Sequence, residues 1–359
     1  MQVLVFEWLT GGGRWVESVE PRSDDPLQQQ GLQMLEAIVG DFISGGVSVV
    51  VPLDTRLTAS FKNFNQMGAA GENLLDCSVI KSADQLRNWL GSTATQVDYV
   101  LMIAPETEGC LLKSLAWIGD ACSKLISPGV EIVELCSYKQ ATFDHLQAAG
   151  FSSFPPGAIL ANPLQEYPKQ STSSAQAWVL KPNDGAGSEH VQLIEDLAAL
   201  GPKDRLRFAG YRIEEFIPGT PVSVSVICHG EQFQFLEPTQ QLFAHQPFGE
   251  YVGARLPIDP RISERAKRLA ERVMRAMPTT QGYLGLDLII SDESEVHDCL
   301  IEINPRLTMS YLKLREIYSE NIALQMLPES RSSDCHFPLR EIKNQTVLAL
   351  QRNSGRAPG

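Results

Sequence analysis

Apolar residues recur along the 359-residue chain with two different periods, and the switching between them outlines its elements. The first apolar run, residues 3–6, is short and unbroken, as expected of a strand buried on both faces. Leu32, Leu35, Ile38, Val39 and Phe42 then repeat at helical spacing until Gly45 and Gly46 end the pattern. Residues 47–51 and 98–104 read as further buried strands, and helical patterning resumes over 111–125. Strands alternating with helices predict a parallel sheet with helices on both faces. Ligands in such sheets bind beyond the carboxyl ends of the strands, which makes Glu7, Thr10 and Glu106 rim candidates. Glycines 11–13 follow the first strand, but the G-x-G-x-x-G spacing is absent and no helical pattern begins directly after them. They predict a loop.

From residue 132 the pattern changes. An apolar run over 132–135 predicts a strand, followed by a helix over 139–149 that Gly150 closes. Pro155, Pro156 and the polar run 168–177 mark a loop-rich passage. Residues 178–180 predict a strand with Lys181 at its end, and Gly185 and Gly187 follow in a small-residue loop. Backbone N–H groups of such a loop can approach phosphate closely, with the lysine as a point charge. The lysine precedes the glycines and no GK[ST] occurs, so this is not a Walker A loop. Residues 211–216 predict a strand carrying Glu214 and Glu215, and valine alternates with serine over 222–226. A strand over 232–236, a polar loop holding Gln241, Glu250, Tyr251 and Arg255, and a basic helix over 263–277 come next. Beyond the segment described below, 312–326 predicts a helix and the last thirty or so residues a frayed polar tail.

Residues 282–306 hold the densest chemistry. Leu284, Leu286, Leu288 and Ile290 predict one apolar strand face, with Asp287 on the other. Leu300, Ile301 and Ile303 make a second apolar ladder that carries Glu302 and leads into Asn304. The SDESE run between the ladders is a turn, so the two strands pair as a hairpin and bring Asp287 beside Glu302. A carboxylate set among apolar strand residues is costly to bury unless a cation or hydrogen bonds compensate. Two carboxylates and an amide carbonyl make a hard oxygen set, suited to Mg²⁺ that bridges phosphate oxygens.

Composition narrows the function classes. Hydrophobic content of 43% and charged content of 20% describe an ordinary soluble globular chain, long enough for two or three cores. A formal charge of −13 argues against a nucleic-acid-binding surface, though not against a nucleotide pocket served by a few local cations. No apolar stretch approaches the length of a membrane span, and the N-terminal apolar run has no basic region before it, unlike a signal peptide. The seven cysteines are irregularly spaced without a CxxC pair, which favours reduced thiols in a cytoplasm. The six histidines are dispersed, with no metal-binding cluster among them.

Four segments in order, SYKQATFDHLQAAGFSSFPPG, KPNDGAG, EEFIPG and GLD…EINPR, resemble the signature regions of the ATP-grasp superfamily, over about residues 130–315. The strand–helix segment before them resembles the pre-ATP-grasp domain of that superfamily. LVFEWLTGGG, APETEG and the loop from Gln241 to Arg255 are most similar to its tyramine–glutamate ligase group, whose members act in methanofuran biosynthesis.

The resemblance implies an α/β and α+β fold: a Rossmann-like pre-ATP-grasp parallel sheet with flanking helices over 1–130, then a two-lobed ATP-grasp fold with mostly antiparallel sheets. The lobes would span 131–212 and 213–328, and 329–359 would form the tail. It implies ATP and Mg²⁺ (or Mn²⁺) as cofactors. Lys139 and Lys181 would hold the α- and β-phosphates, and Gly185 and Gly187 the loop over the triphosphate. Glu214 with the backbone of Glu215, Phe216 and Ile217 would form the adenine hinge. Asp287, Glu302 and Asn304 would hold the metal, and Arg306, with Lys181 in a catalytic role, would steady the transferred phosphoryl group. Glu106, Gln241, Tyr251 and Arg255 are substrate candidates. Pro221 stands where many relatives carry an acid for the ribose hydroxyls, so ribose recognition departs from the pattern.

The implied reaction joins an amino-acid carboxylate to an amine through an acylphosphate, releasing ADP and phosphate. Glutamate with tyramine or tyrosine is the first expectation. A D-alanine–D-alanine-like ligase and a non-catalytic ATP-binding protein are the alternatives. Partners would be small molecules, with neither nucleic acid nor membrane, and a homodimer is compatible with the sequence.

Overall fold

The computed structural model describes residues 1–22, 24–60, 64, 74–160, 177–184, 190–197, 200–244, 249, 251–328 and 346–349. The first block contains β1 (Gln2–Glu7), α1 (Gly13–Glu17), α2 (Pro26–Ser44), β2 (Ser48–Asp54), β3 (Leu75–Ile80), α3 (Ala83–Gln96), β4 (Tyr99–Ile103) and α4 (Cys110–Ile118). Its four strands are parallel in the order β3-β2-β1-β4. Successive β1 side chains take opposite sides: Val3 and Val5 pack toward α2, Leu4 and Phe6 toward α3 and α4. Burial on both faces accounts for the unbroken apolar run. Asp25 caps α2 by accepting from the Leu27 N–H, with Pro26 in the first turn, where its missing N–H is not needed.

Four predicted boundaries need correcting here. The glycine run is not only a loop, because α1 starts at Gly13, turned in by Gly12 at φ 106°. The helical pattern over 111–125 yields α4 only to Ile118; Gly119, at φ 51°, ends it and a 3₁₀ turn covers Gly119–Lys124. The apolar run over 132–135 is part of a helix, α5 (Val130–Ser137), not a strand. Ile132, Val133 and Cys136 are its buried apolar positions, a helical spacing that a four-residue window cannot distinguish from a buried strand. The 312–326 helix is two: α9 and α10 below.

After α5 come α6 (Lys139–Ala148), β5 (Gly157–Ile159), β6 (Trp178–Pro182), β7 (Gln192–Ile194), α7 (Pro202–Arg207) and β8 (Tyr211–Glu215). The four strands form an antiparallel sheet in the order β5-β8-β6-β7, over a small core of Leu180, Phe208 and Ile213. The third sheet is built from β9 (Gly219–Gly230), β10 (Gln232–Phe235), β11 (Thr239–Phe243), β12 (Tyr251–Leu256), α8 (Pro260–Ala276) beside it, β13 (Thr280–Ser291) and β14 (Cys299–Asn304). Helices α9 (Ser310–Ile317) and α10 (Ile322–Gln325) and a last strand, β15 (Thr346–Ala349), follow. Its strand order is β14-β13-β9-β11-β12-β15, antiparallel throughout, with β10 paired to β9.

Two expectations change in this sheet. Gln241, Tyr251 and Arg255 belong to β11 and β12, not to a loop; polar side chains hid strands that have one face on a cavity. The tail contributes β15, whose four residues pair with β12.

One face of β9, β13 and β14 packs on α8, which brings Val222, Val224, Val226, Leu284, Leu286, Leu288 and Ile290 together with Leu269 and Val273. Full burial of each such side chain contributes roughly 1.5–3 kcal/mol. Toward its start, β13 meets the first block. Tyr283 and Ile227 join Val3, Val5, α2 and α9 in one continuous core. Gly282, at φ 79°, lies against backbone there: a Cβ would come within 2.2 Å of the Ile126 carbonyl oxygen.

Candidate active site

A cavity of about 920 Å³ opens where the three sheets meet. Its floor is the hairpin of β13 and β14, in which Asp287 pairs directly with Glu302 and Gly285 with Asn304. The register shifts between Asp287 and Leu288, so Ile301 is an extra residue on β14. This bulge corrects the expected ladder. Leu300 and Ile303 face the core, while Ile301, Glu302 and Asn304 all line the cavity.

Asp287 is hydrogen-bonded on both oxygens: Asn304 Nδ2 donates to Oδ2 at 3.0 Å and Gln241 Nε2 to Oδ1 at 2.9 Å. Both donors are neutral, so this half-buried carboxylate has no contact counter-ion among the described residues. Burial, then the nearby Glu302 charge, push the Asp287 carboxyl up to about 6. Burial also raises the Tyr251 phenol, and the Asp287 charge adds to it, so that side chain stays a protonated donor in the cavity wall.

Two buried lysines enter from the other side. Lys139 starts α6, whose first turn is fixed by Asn183: the Lys139 N–H donates to the Asn183 carbonyl and the Gln140 N–H to its Oδ1, each at 2.9 Å. Lys139 Nζ lies 2.8 Å from Glu302 Oε1. Lys181, on β6, is 2.5 Å from Glu214 Oε1, and Arg212 Nε is 3.0 Å from Glu214 Oε2. Burial lowers the Lys181 pKa, Glu214 opposes that shift and the Lys139 charge adds to it. Lys139 and Lys181 are thus cations held in reserve on carboxylates, at a cavity with room for a polyanion.

Residues 215–217, expected as the adenine hinge, also line the cavity. The Glu215 N–H donates to Pro156 at 2.9 Å and the Phe216 N–H to Ala177 at 3.0 Å, so those two amides are already engaged. Pro221 lines the cavity, as do Asp184 and His190 across from it. Arg306 also lines it, with a guanidinium held by Glu106. Burial would lower the Arg306 pKa, but the charges of Glu106, Glu302 and Asp287 more than offset this.

The structure therefore gathers Lys139, Lys181, Glu214, Gln241, Tyr251, Asp287, Glu302, Asn304 and Arg306 in one place. Arg255 does not join them; its side chain is exposed on β12 beside Gln240. Glu106 is buried but outside the lining, reached only through Arg306. Gly185, Gly187 and Glu250 lie outside the described residues. Contributors unread in the sequence include Arg212, which shares a strand face with Glu214 two residues on; Phe243, packed edge-on to Tyr251 at 6.3 Å; and Arg14 on α1 with the acids Glu17, Asp25 and Glu108. The i, i+2 spacing of Arg212 and Glu214 was the available signal.

The site fits a divalent cation. Asp287 and Glu302 face each other as hard oxygen donors, and desolvation, with the Glu302 charge second, raises the Asp287 pKa, a penalty a bound cation would relieve. Among the described residues no three His, Cys, Asp or Glu side chains form a metal cluster, so the candidate donors are two carboxylates and the Asn304 amide oxygen.

Residues 136–310 match the ATP-grasp domain family, and residues 47–130 match the pre ATP-grasp 3 domain. A tyramine–L-glutamate ligase of Methanocaldococcus jannaschii is 21% identical over 342 residues, 94% of this chain and 92% of that protein. Among solved structures, an ATP-grasp superfamily protein from Archaeoglobus fulgidus superposes with a TM-score of 0.63 at 19% identity, over 91% of this chain and 87% of that one. The N5-carboxyaminoimidazole synthetase of Staphylococcus aureus, solved with ADP, gives a TM-score of 0.65 at 14% identity, over 94% and 79%. The chain belongs to the ATP-grasp superfamily of ligases, with a pre-ATP-grasp domain ahead of the ATP-grasp domain.

Proposed function

We propose that this ATP-grasp ligase joins an amino-acid carboxylate to an aromatic amine, with glutamate and tyramine as the first pair to test. One observation carries the reading. Lys139 and Lys181 lie against the half-buried Asp287–Glu302 pair, in the same cavity as Arg306. The lysines would leave their carboxylates for the α- and β-phosphates of ATP. Mg²⁺, held by Asp287, Glu302 and Asn304, would neutralise the β- and γ-phosphate oxygens. Arg306 would bind the donor carboxylate and the transferring phosphoryl group. The carboxylate attacks the γ-phosphorus, giving an acylphosphate and ADP; the amine then displaces phosphate. Positioning and charge neutralisation carry such phosphoryl transfer, so no side-chain nucleophile is needed.

The cavity wall supplied by the first block, with the Phe243–Tyr251 pair of the third sheet, favours an aromatic amine as acceptor. Glu7, Glu17, Asp25 and Glu108 line it, and its one arginine, Arg14, is already paired with Glu17 at 2.9 Å and Asp25 at 2.8 Å. Leu27, Met34 and the Phe243–Tyr251 pair supply apolar and aromatic wall. An acidic chamber with aromatic walls suits an ammonium on an aromatic body better than an acceptor carrying its own carboxylate. Tyramine therefore ranks above tyrosine.

The test is a matrix of amino acids against amines, read by phosphate release and by mass spectrometry of the product. The expected result is ADP and phosphate formed in step with a glutamyl amide. AMP and pyrophosphate in stoichiometric yield would overturn the mechanism, and absence of turnover with every pair would overturn the ligase reading. The six cysteines among the described residues are free thiols and none of the described helices is long and apolar enough to cross a membrane, which supports a cytoplasmic setting.

A further inference from the structure

We infer that Glu106 is a positioning residue: the carboxylate at the end of β4 holds the guanidinium of Arg306, 200 positions away in the chain, in the place from which it acts. The pair crosses the boundary between the pre-ATP-grasp and ATP-grasp domains. Arg306 Nε and Nη2 both donate to Glu106 Oε2, at 3.2 and 3.1 Å, and Oε1 stands 3.0 Å from Nε without a hydrogen bond to it. Glu106 is 5% exposed and absent from the cavity wall, although Pro105 and Thr107 on either side both line it. Its carboxylate is therefore turned onto Arg306 and not onto bound substrate, which reassigns a residue that the sequence placed among substrate contacts.

The local backbone is built for that turn. Directly after β4 the chain tightens: the Gly109 N–H donates to the Glu106 carbonyl and the Leu111 N–H to the Pro105 carbonyl, both at 3.1 Å. Glu108 at φ 54° and Gly109 at φ 66° are both left-handed, a conformation rare for a non-glycine residue and characteristic of sites where the surrounding structure dictates the geometry.

The reason such a holder is needed lies in the charges around Arg306. Asp287 and Glu302 both act on it. A long, unrestrained arginine would settle on one of those carboxylates and compete with the cation they are to hold. Glu106 satisfies the guanidinium from the far side and leaves the hairpin carboxylates to the metal. A buried ion pair is a weak source of stability, so stability is the poorer explanation of its presence.

The kinetic test rests on the proposed reaction; a second arm does not. Glu106→Gln, Glu106→Asp, Arg306→Ala and the double variant Glu106→Gln/Arg306→Ala are assayed with the productive acid–amine pair. Glu106→Gln and Glu106→Asp are expected to lower kcat about 100-fold, the effect of a misplaced reacting group, with the KM for ATP within about twofold. The double variant should be no slower than Arg306→Ala alone, because Glu106 acts only through Arg306. Losses that multiply, or a raised KM for acid or amine with kcat kept, would overturn the inference in favour of direct substrate contact. Unchanged kcat with a lowered melting temperature would overturn it in favour of a structural pair. The second arm follows the Arg306 Nε–H resonance by ¹⁵N NMR of the full chain, assigned by its loss in Arg306→Lys. Slow exchange in the native protein and fast exchange in Glu106→Gln are expected; the same exchange in both would overturn the inference even if no substrate pair were found. Failure of every substrate pair alone would count against the ligase reading and leave the NMR result to decide this one.

Discussion

Asp287→Asn should inactivate the enzyme and stabilise its ligand-free fold. An aspartate in an unfolded chain ionises near 3.8, whereas burial and Glu302 raise it to about 6 in the folded state. A folded-state pKa above the unfolded value means stability that is present below the unfolded pKa and lost as pH rises through the folded one. The difference of about two units corresponds to about 3 kcal/mol of destabilisation above pH 6. Asparagine removes that charge at every pH. It keeps one acceptor, so one of the donors Asn304 and Gln241 must turn its amide round, at about 1 kcal/mol. The net gain is about 2 kcal/mol, or about 4–8 °C in melting temperature on the scaling for mid-sized domains. The assay is thermal unfolding of native and variant protein without nucleotide or metal, from pH 5 to pH 8. The advantage of the variant should be widest at pH 8 and fall to roughly a third of that at pH 5, since most of the native carboxylate is protonated there while the cost of the turned amide stays. A variant no more stable than the native protein at pH 8, or a difference that ignores pH, would refute the view that Asp287 is a half-buried charge awaiting a cation.

Three further outcomes follow from the same geometry. Lys181→Ala should weaken ATP binding by roughly 1.5–3 kcal/mol, more than it weakens binding of the acid, while Glu214 keeps Arg212 at 3.0 Å; titration calorimetry with equal ATP affinity would move the phosphate contact elsewhere. Glu302→Gln should cut turnover at least about 100-fold with the fold intact by circular dichroism, and near-native rates at limiting magnesium would remove Glu302 from the metal set. Glu7→Gln should raise the KM for the amine more than that for ATP, because Glu7 is a buried cavity carboxylate with no ion pair among the described residues; an unchanged amine KM would return it to a purely structural part in the turn it makes with Thr10.

The hairpin was readable because its chemistry and its core share one two-residue period. Leu284 to Ile290 on alternate positions fixed the register, and the register put Asp287 beside Glu302. The bulge was not readable, since an extra residue leaves no trace in an apolar run and Ile301 looks like its neighbours. The helix at Val130–Ser137 failed for a related reason: four apolar residues in a row fit either period. Gln241 and Tyr251 line the cavity but lie on strands where the sequence predicts a loop, because strands that wall a polar cavity lose the alternation that identifies a strand. The pairing of Glu106 with Arg306 spans 200 residues, and no local pattern announces a partner that far off.

The glycine at position 282 is what lets the first and third sheets close on each other. With no side chain between β13 and the Ile126 carbonyl, and with one unbroken core running from Val3 to Leu314, the first and third sheets form a single anvil. The second sheet rests on its own small core around Leu180, Phe208 and Ile213. It meets the hairpin through Lys181, whose Nζ donates to the Ile301 carbonyl at 3.4 Å, so the cavity is walled by two separately packed units that share a polar seam.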